Sequence, residues 1–398
     1  NEDEQHELVA ISTGGGMIEV LSIDNQTVSY KGDCYYTLVF LDQNVKQDIL
    51  LGILQNKDII IKAQNDRVLS FASFERPNGD LLKKIYDVVE EKNVRILEPV
   101  LPVLSVKETE LPFVTAEELT RFNVEKNLEI WQLALRYESM RGNISEEQVF
   151  KMMEDIVDVL LVSLEQGKKG TKYKDRILHD QSVNYKKLHN QGDLIGGGLH
   201  NQITHYVSVF MEVKSSMGVI VAAPTAGSCA LLPGAVFATS HFLNLPKAEM
   251  VKAMLTAGLI GVFVAEKSTF SAEVAGCMAE CGVGSGMAAA ALCQLGGGNV
   301  QQCLGAASFA LQNTMGMVCD PIANRVEAPC LGKNIMAAHN ALACANMALA
   351  SYDHLIPLDE VIAAFDKVGR SLPREVRCTA LGGLSVTPTA IKIDKIIN

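Results

Sequence analysis

The sequence predicts an α+β chain in which a small β-α-β-β-α-β unit precedes a large, mostly helical one. Three observations lead there. Residues 35–100 alternate between strand-like and helix-like apolar patterns. Pro99, Pro102 and Pro112 then interrupt the chain. Beyond them come helix-capping signals and long runs of alanine, glycine and other small residues. A length of 398 residues fits two or three domains. Hydrophobic content of 48% with 20% charged residues describes a packed chain, not a disordered one. The divisions expected are 1–30 (strands), 31–106 (the α/β unit) and 107–398 (the helical part).

Taken in order, residues 8–22 read as two strand pieces around the triple glycine 14–16, which we take as a turn. A phosphate-binding loop would require Gly-Lys-Ser/Thr next, and Met17-Ile18 stands there instead. Residues 35–41 form a strand, 45–55 a helix, 58–74 strand-rich text, 78–92 a helix and 94–100 a final strand, the order of a ferredoxin-like unit. Past the prolines, Thr115-Ala-Glu-Glu118 and Ser145-Glu-Glu-Gln148 are capping boxes. The second opens an apolar face from Val149 to Leu161 that stops at Gly167. Residues 168–190 are polar and predict mostly solvated loop. Core text resumes at Leu194 and lasts to about Ala350. Pro246 sits at the first turn of one helix, Gly296–Asn299 joins two alanine-rich helices, and Pro357 opens the last amphipathic one.

A net charge of −11 and a pI near 5.3 argue against nucleic-acid or anionic-membrane partners. Residues 215–246 lack Asp, Glu, Lys and Arg, but Pro224, Thr225, Ser228 and Pro233 break the run, so buried helices are expected instead of a membrane span. The first ten residues lack an apolar export core, and ten cysteines are too dilute for a disulfide scaffold. A reducing, cytoplasmic setting with free or metal-bound thiols follows.

The chemistry is expected between Ser271 and Cys330. No charged side chain occurs between Glu280 and Asp320, yet cysteines stand at 277, 281, 293, 303, 319 and 330. In a dry, small-residue region thiolates persist as ligands of a cation or cluster. Cys277 follows Ala275-Gly276, Cys319 precedes Asp320-Pro321, and Cys330 follows Pro329. The chain has no Cys-x₂-Cys knuckle for structural zinc. Three placed cysteines suit an iron–sulfur cluster with one iron open, and inert buried thiols are the competing reading. The stretch A-P-T-A-G-S-C at 223–229 offers hydroxyls and backbone N–H groups to an anion, or is a tight turn between core helices. No general base stands out: His200, His205 and His339 lie in core text, and Lys267 and Lys333 are isolated cations. Lys267 as a pyridoxal Schiff-base lysine is a rival chemistry.

These residues carry a resemblance. A-P-T-A-G-S-C, A-G-C-M-A-E, M-A-A-A-A-L, G-M-V-C-D-P-I, V-E-A-P-C and G-G-L-S-V-T-P-T, from about Thr115 to the end, resemble the α region of iron–sulfur-dependent L-serine dehydratase. Residues 1–30, with G-G-G-M-I-E-V, and the α/β unit after them resemble the latter part of that family's β region, including its ACT-type domain. The resemblance implies a [4Fe–4S] cluster on Cys277, Cys319 and Cys330. It also implies conversion of L-serine to pyruvate and ammonia, with Thr225, Ala226, Gly227, Ser228 and Ser271 binding substrate, and a homodimer. The sequence departs from the family in lacking its Ser-Ser-Ser-His-Thr stretch. Lys267-Ser-Thr-Phe-Ser-Ala272 replaces Asn-Ala-Ser-Ile-Ser-Gly, and Asn324 replaces a glycine. A C-terminal cysteine of single-chain members is missing, and the chain reads Thr387-Pro-Thr-Ala390 as two-chain members do. A partner β-type subunit or a preceding segment would then complete the site. The alternatives are a non-catalytic amino-acid-binding relative and a cluster lyase acting on threonine or cysteine.

Overall fold

The computed structural model describes residues 8–13, 17–23, 26–30, 35–41, 47–55, 59–64, 68–73, 76–97, 110–173 and 176–397, with 8–30, 62–64 and 97 as backbone alone. The triple glycine, Pro99 and Pro102 lie outside these residues. The chain divides into two compact units, one within residues 1–107 and one over 108–398.

The first unit holds two antiparallel sheets. One is the meander β1 (Leu8–Thr13), β2 (Met17–Ile23) and β3 (Gln26–Tyr30). The other follows the order β4 (Tyr35–Phe40), α1 (Gln47–Ile53), β5 (Ile59–Gln64), β6 (Val68–Ser73), α2 (Gly79–Tyr86) and β7 (Val94–Leu97). Its spatial order is β5-β6-β4-β7 with every neighbouring pair antiparallel. Alternate residues Val39, Leu69 and Phe71 pack with Leu50, Leu54, Ile85 and Val89 from the helical segments, which makes one core beneath the sheet. Asn78 caps α2 by accepting the Leu81 N–H at 2.9 Å.

The second unit is helical: α3 (Ala116–Asn123), α4 (Ile130–Gly142), α5 (Glu146–Gly167), α6 (Ser182–Gln191), α7 (Gly198–Ser215), α8 (Leu231–Phe242), α9 (Lys247–Lys267), α10 (Ala272–Cys277), α11 (Val283–Leu295), α12 (Val300–Thr314), α13 (Cys330–Leu349), α14 (Leu358–Ser371) and α15 (Pro388–Ile397). At its centre lies α11, packed against α8, α9, α12 and α13. Small side chains make this possible: Ala288 to Ala291 are fully buried, and a Cβ on Gly284 would stand 3.1 Å from Leu231. Close approach of four helices to one is achieved by the size of the residues on it. Outside this ring, α4 and α5 pack on α9, and α5 also packs on α7.

The cap signals are realised unequally. Ser145 and Gln148 form a reciprocal box, with the Gln148 N–H donating to Ser145 Oγ (3.2 Å) and the Ser145 N–H to Gln148 Oε1 (2.9 Å). Thr115 accepts the Glu118 N–H, but the Glu118 carboxylate takes the Val114 N–H instead of that of Thr115. Asp359 supplies the remaining anionic cap of α3, accepting from the N–H groups of Ala116 and Glu117.

One expectation is refined and one corrected. The described residues of 168–181 are loop as expected, but α6 occupies 182–191, because buried Glu212 of α7 accepts the N–H groups of Gln181 (2.8 Å) and Ser182 (3.0 Å) and fixes its start. The helix opened by Pro357 is not the last, since α15 follows. The uncharged run 215–246 is broken by the turn Ala226–Ser228. Helix α9 and the stretch Ala272–Leu295 are long and apolar enough to cross a membrane by composition, but 67% and 94% of those windows are buried inside the unit.

Candidate active site

The centre of the site is a break in helix geometry. Between Ser271 and Leu295 the backbone leaves the helix at Ala275 and Gly276 (φ +68°) and then makes a π-helical turn over Met278–Gly282. Gly276 is required there: the conformation is left-handed, and a Cβ would meet the Met317 carbonyl oxygen and a Leu372 methyl, both at 2.9 Å. The break brings Cys277 against the loop of Cys319, and the Met278 N–H donates to the Met317 carbonyl at 2.9 Å. The π turn then places Glu280 on the same side. One sulfur each from Cys277 and Cys319 and one Glu280 oxygen all lie within 4.8 Å of one another.

Cys330 opens α13 after the cis Ala328–Pro329 bond and is buried. It is not in that trio, but Asn334 links it to the group. Asn334 Nδ2 donates to the Cys330 carbonyl (3.0 Å), to the Gly227 carbonyl (2.9 Å) and to Cys281 Sγ (3.6 Å). Asn334 Oδ1 is buried without a partner.

The electrostatics single out Cys277. The thiols of Cys281 and Cys319 donate to it and hold it well below the ordinary thiol range, with the Lys333 ammonium adding in the same direction. Its neighbours move the other way: Cys281 and Cys319 are raised, chiefly by their contact with Cys277. Burial, then the Cys277 charge, pushes Cys330 up to about 12. Burial and the same charge push Glu280 up to about 8, opposed by the Thr225 hydroxyl. Lys333 is anchored by the Val318 carbonyl (2.6 Å) and Asp320 (2.5 Å). The Cys277 and Asp320 charges raise it against the effect of its burial.

The turn at 225–228 lies directly against this group. Thr225 Oγ1 donates to Glu280 Oε1 at 2.6 Å and contacts Ser228 Oγ at 3.1 Å. Thr225, Gly227 and Ser228 are buried and Ala226 is exposed. Gly227 leaves room for the carboxylate, since a Cβ there would lie 2.7 Å from Glu280 Oε1. Ser271, at the N-cap of α10, donates to Glu273 (2.7 Å) and to none of the grouped residues.

The lone cations and histidines separate clearly. Lys333 faces the cysteines, whereas half-exposed Lys267 pairs with Asp359 at 3.7 Å. His200 and His339 stack with their Nδ1 atoms 2.9 Å apart, and His339 Nε2 meets Thr204 Oγ1 at 2.8 Å. His205 is a core histidine lowered to about 4 by burial and then by the Lys186 and Lys168 charges. Its charged form is favoured in the unfolded chain, so stability is intact above pH 6.5 and is lost as pH falls from there through about 4. The loss reaches about 3 kcal/mol. His205→Leu is expected to shift the acid-unfolding midpoint, followed by circular dichroism, to lower pH; an unmoved midpoint would clear His205 of this role.

Sequence reasoning did not reach Glu280 or Asn334, and it counted Cys281 only among the cysteines of the stretch. Glu280 carried a signal of its own, as the last charge before a long uncharged run and three positions after Cys277.

Residues 125–385, which contain every residue of this site, match the family model described as "Serine dehydratase alpha chain". A protein of Bacillus subtilis (strain 168) named "Probable L-serine dehydratase, alpha chain" is 35% identical over 285 residues, 72% of this chain and 95% of that protein. The "L-serine dehydratase, alpha chain" of Peptoniphilus asaccharolyticus is 36% identical over 282 residues, 70% of this chain and 96% of that one. The "L-serine dehydratase" of Streptomyces coelicolor is 30% identical over 286 residues, covering 69% and 61%. With the matched stretch holding the thiols, the carboxyl and the turn together, this chain belongs to the serine dehydratase alpha chain family.

Proposed function

We propose that this chain dehydrates and deaminates L-serine to pyruvate and ammonia, with a [4Fe–4S] cluster held by Cys277, Cys319 and Cys330. One observation carries the reading: two cysteines and a carboxyl group converge beneath a hydroxyl-bearing turn, inside the stretch that matches the family. The names of the relatives support the substrate. The residues fit a cluster by their chemistry. Three buried thiols come from separate elements and none is in a disulfide. One already favours the thiolate, the Lys333 ammonium offsets its charge, and an orphaned buried acceptor, Asn334 Oδ1, lies in the same network. When bound, such a cluster supplies Lewis-acid chemistry at the iron without a cysteine ligand, neutralising charge on the departing hydroxide.

The chain's own groups do the rest. Thr225, Ala226, Gly227 and Ser228 present hydroxyls and backbone N–H groups to the substrate carboxylate. Ser271 fixes the entry to α10. The Glu280 carboxyl, with Oε1 engaged by Thr225, holds a proton at Oε2 for the leaving hydroxyl. Loss of the Cα proton and of the hydroxyl, which departs as water with the Glu280 proton, leaves aminoacrylate, which tautomerises and hydrolyses to pyruvate and ammonia. Lys333 stays protonated between Asp320 and the thiols, so it serves as a counter-charge. The small unit acts as an ACT-like amino-acid-binding domain that pairs two copies of the chain. The relatives named alpha chains support a separate partner chain.

The test is anaerobic reconstitution with ferrous iron and sulfide, followed by assay of pyruvate and ammonia in equal amounts from L-serine. Production of 2-oxobutyrate from L-threonine, or of sulfide from L-cysteine, in preference to pyruvate from L-serine would overturn the substrate assignment. A chain that takes up no iron would overturn the cluster.

A further inference from the structure

We propose that His200 and His339 form a surface site for one divalent cation of the copper or nickel type, which clips α7 to α13. The observations behind it are independent of the cluster reading. His200 lies in the first turn of α7 and His339 midway along α13, and the two helices pack together. Their Nδ1 atoms stand 2.9 Å apart, with ring centroids at 4.7 Å and ring planes 23° apart.

Those distances decide between two readings of the pair. A straight N–H···N hydrogen bond between the same nitrogens would hold the centroids about 5.2 Å apart. Two imidazoles bound through Nδ1 at a right angle have metal–nitrogen bonds of about 2.05 Å, which sets the nitrogens about 2.9 Å and the centroids about 4.5 Å apart. The pair matches the second arrangement. It also selects the ion. The tetrahedral angle that zinc takes would need nitrogens about 3.3 Å apart, whereas a right angle belongs to tetragonal copper(II) and nickel(II) sites. Rotation about χ2, a soft torsion in histidine, is enough to aim both lone pairs at one point.

The neighbouring hydroxyl fixes the tautomer. Thr204 shares the His200 face of α7, one turn on, and its Oγ1 lies 2.8 Å from His339 Nε2. With the Nε2 proton donated to that hydroxyl, the Nδ1 lone pair of His339 is left for the ion. Ligating histidines are held in this way, through a hydrogen bond from the ring nitrogen that does not bind.

Exposure supplies the rest. His200 is exposed and His339 half-buried, so a hydrated ion reaches both nitrogens and keeps water in its remaining positions. Two nitrogens replace two waters of the ion, and no electron moves. Bound there, the ion ties α7 to the helix that Cys330 opens.

The experiment titrates the full chain, prepared without air, with nickel(II). It compares the unsubstituted chain with His200→Ala, His339→Ala, Thr204→Val and, as control, His179→Ala. Calorimetry is expected to count one nickel per chain at micromolar affinity. At about a hundredfold excess over the dissociation constant, the thermal midpoint should rise by roughly 5 °C. Either histidine variant should bind roughly tenfold more weakly or worse, and Thr204→Val roughly tenfold more weakly. His179→Ala should bind as the unsubstituted chain does, since His179 is exposed in the loop before α6. At one equivalent, nickel-edge X-ray absorption should show imidazole nitrogen and no sulfur, which separates this site from the thiols. Because His200 is exposed, His200→Ala decides the matter even where the α13 variant folds poorly. Unchanged affinity in both histidine variants overturns the proposal, as does a sulfur shell at one equivalent or failure of the unsubstituted chain to bind nickel. Unchanged affinity in Thr204→Val overturns the tautomer assigned here. All of these readouts leave the reading of the cysteine site standing, since none depends on iron or on pyruvate.

Discussion

Cys277→Ala is expected to remove the iron and reduce pyruvate formation from L-serine by roughly a thousandfold or more, the equivalent of several kcal/mol of transition-state stabilisation. The expectation follows from its place among the thiols. Cys277 accepts from both Cys281 and Cys319, so its loss removes the one thiolate poised to bind metal and the partner that organises the other two. The cut falls at the helix break that Gly276 creates, where no neighbouring side chain can take over without moving the Met317–Cys319 loop. The measurement is iron and sulfide per chain after anaerobic reconstitution, alongside pyruvate release. Cys344→Ala is the control. That cysteine is equally buried, in α13, and contacts Asn313 and Asn340, so its loss should leave iron content and pyruvate release unchanged. A Cys277→Ala protein that keeps full iron and turnover would show that the metal is held elsewhere.

How much of this was legible beforehand varies with the range of the interaction that decides it. The reciprocal box at Ser145 involves residues three apart, and it stands as the sequence reads. Helix α6 was not legible because its residues are mostly polar and its start is set by Glu212, thirty positions on. Periodicity carries no trace of a carboxylate that far away. The cysteines show the same limit. Spacing alone does not separate Cys277 and Cys319 from Cys293 and Cys303, which are just as buried but lie in the α11–α12 pair. Family resemblance separated them, and the fold groups Cys277 with Cys319 while setting Cys330 one link away through Asn334. Cys378 was invisible for another reason. Its N–H reaches the Cys319 carbonyl between segments about sixty residues apart in sequence, and residues 376–385, with two adjacent glycines, read as a plain loop.

Glu280→Gln is expected to lower kcat by roughly 10²- to 10⁴-fold while leaving iron content unchanged. The substitution keeps the shape of the side chain and its acceptor for the Thr225 hydroxyl, 2.6 Å away, so the turn at 225–228 should stay in place. What it removes is the proton that an acid can give and an amide cannot. Gly227→Ala tests the same group from the other side. Its new methyl would stand 2.7 Å from Glu280 Oε1 and 3.0 Å from the carboxyl carbon and the second oxygen, so the carboxyl must swing away although its chemistry is intact. Both variants should therefore lose turnover and keep the metal, one by chemistry and one by position. The readouts must be paired for this reason. Glu280 lies beside Cys277, with Oε2 3.9 Å from its sulfur, and a carboxylate there could equally be a ligand. Iron lost together with turnover in Glu280→Gln would identify Glu280 as part of the metal shell. Iron retained with turnover lost assigns it to the substrate proton. Full turnover in Glu280→Gln would remove it from the reaction and leave proton transfer to a group outside the trio.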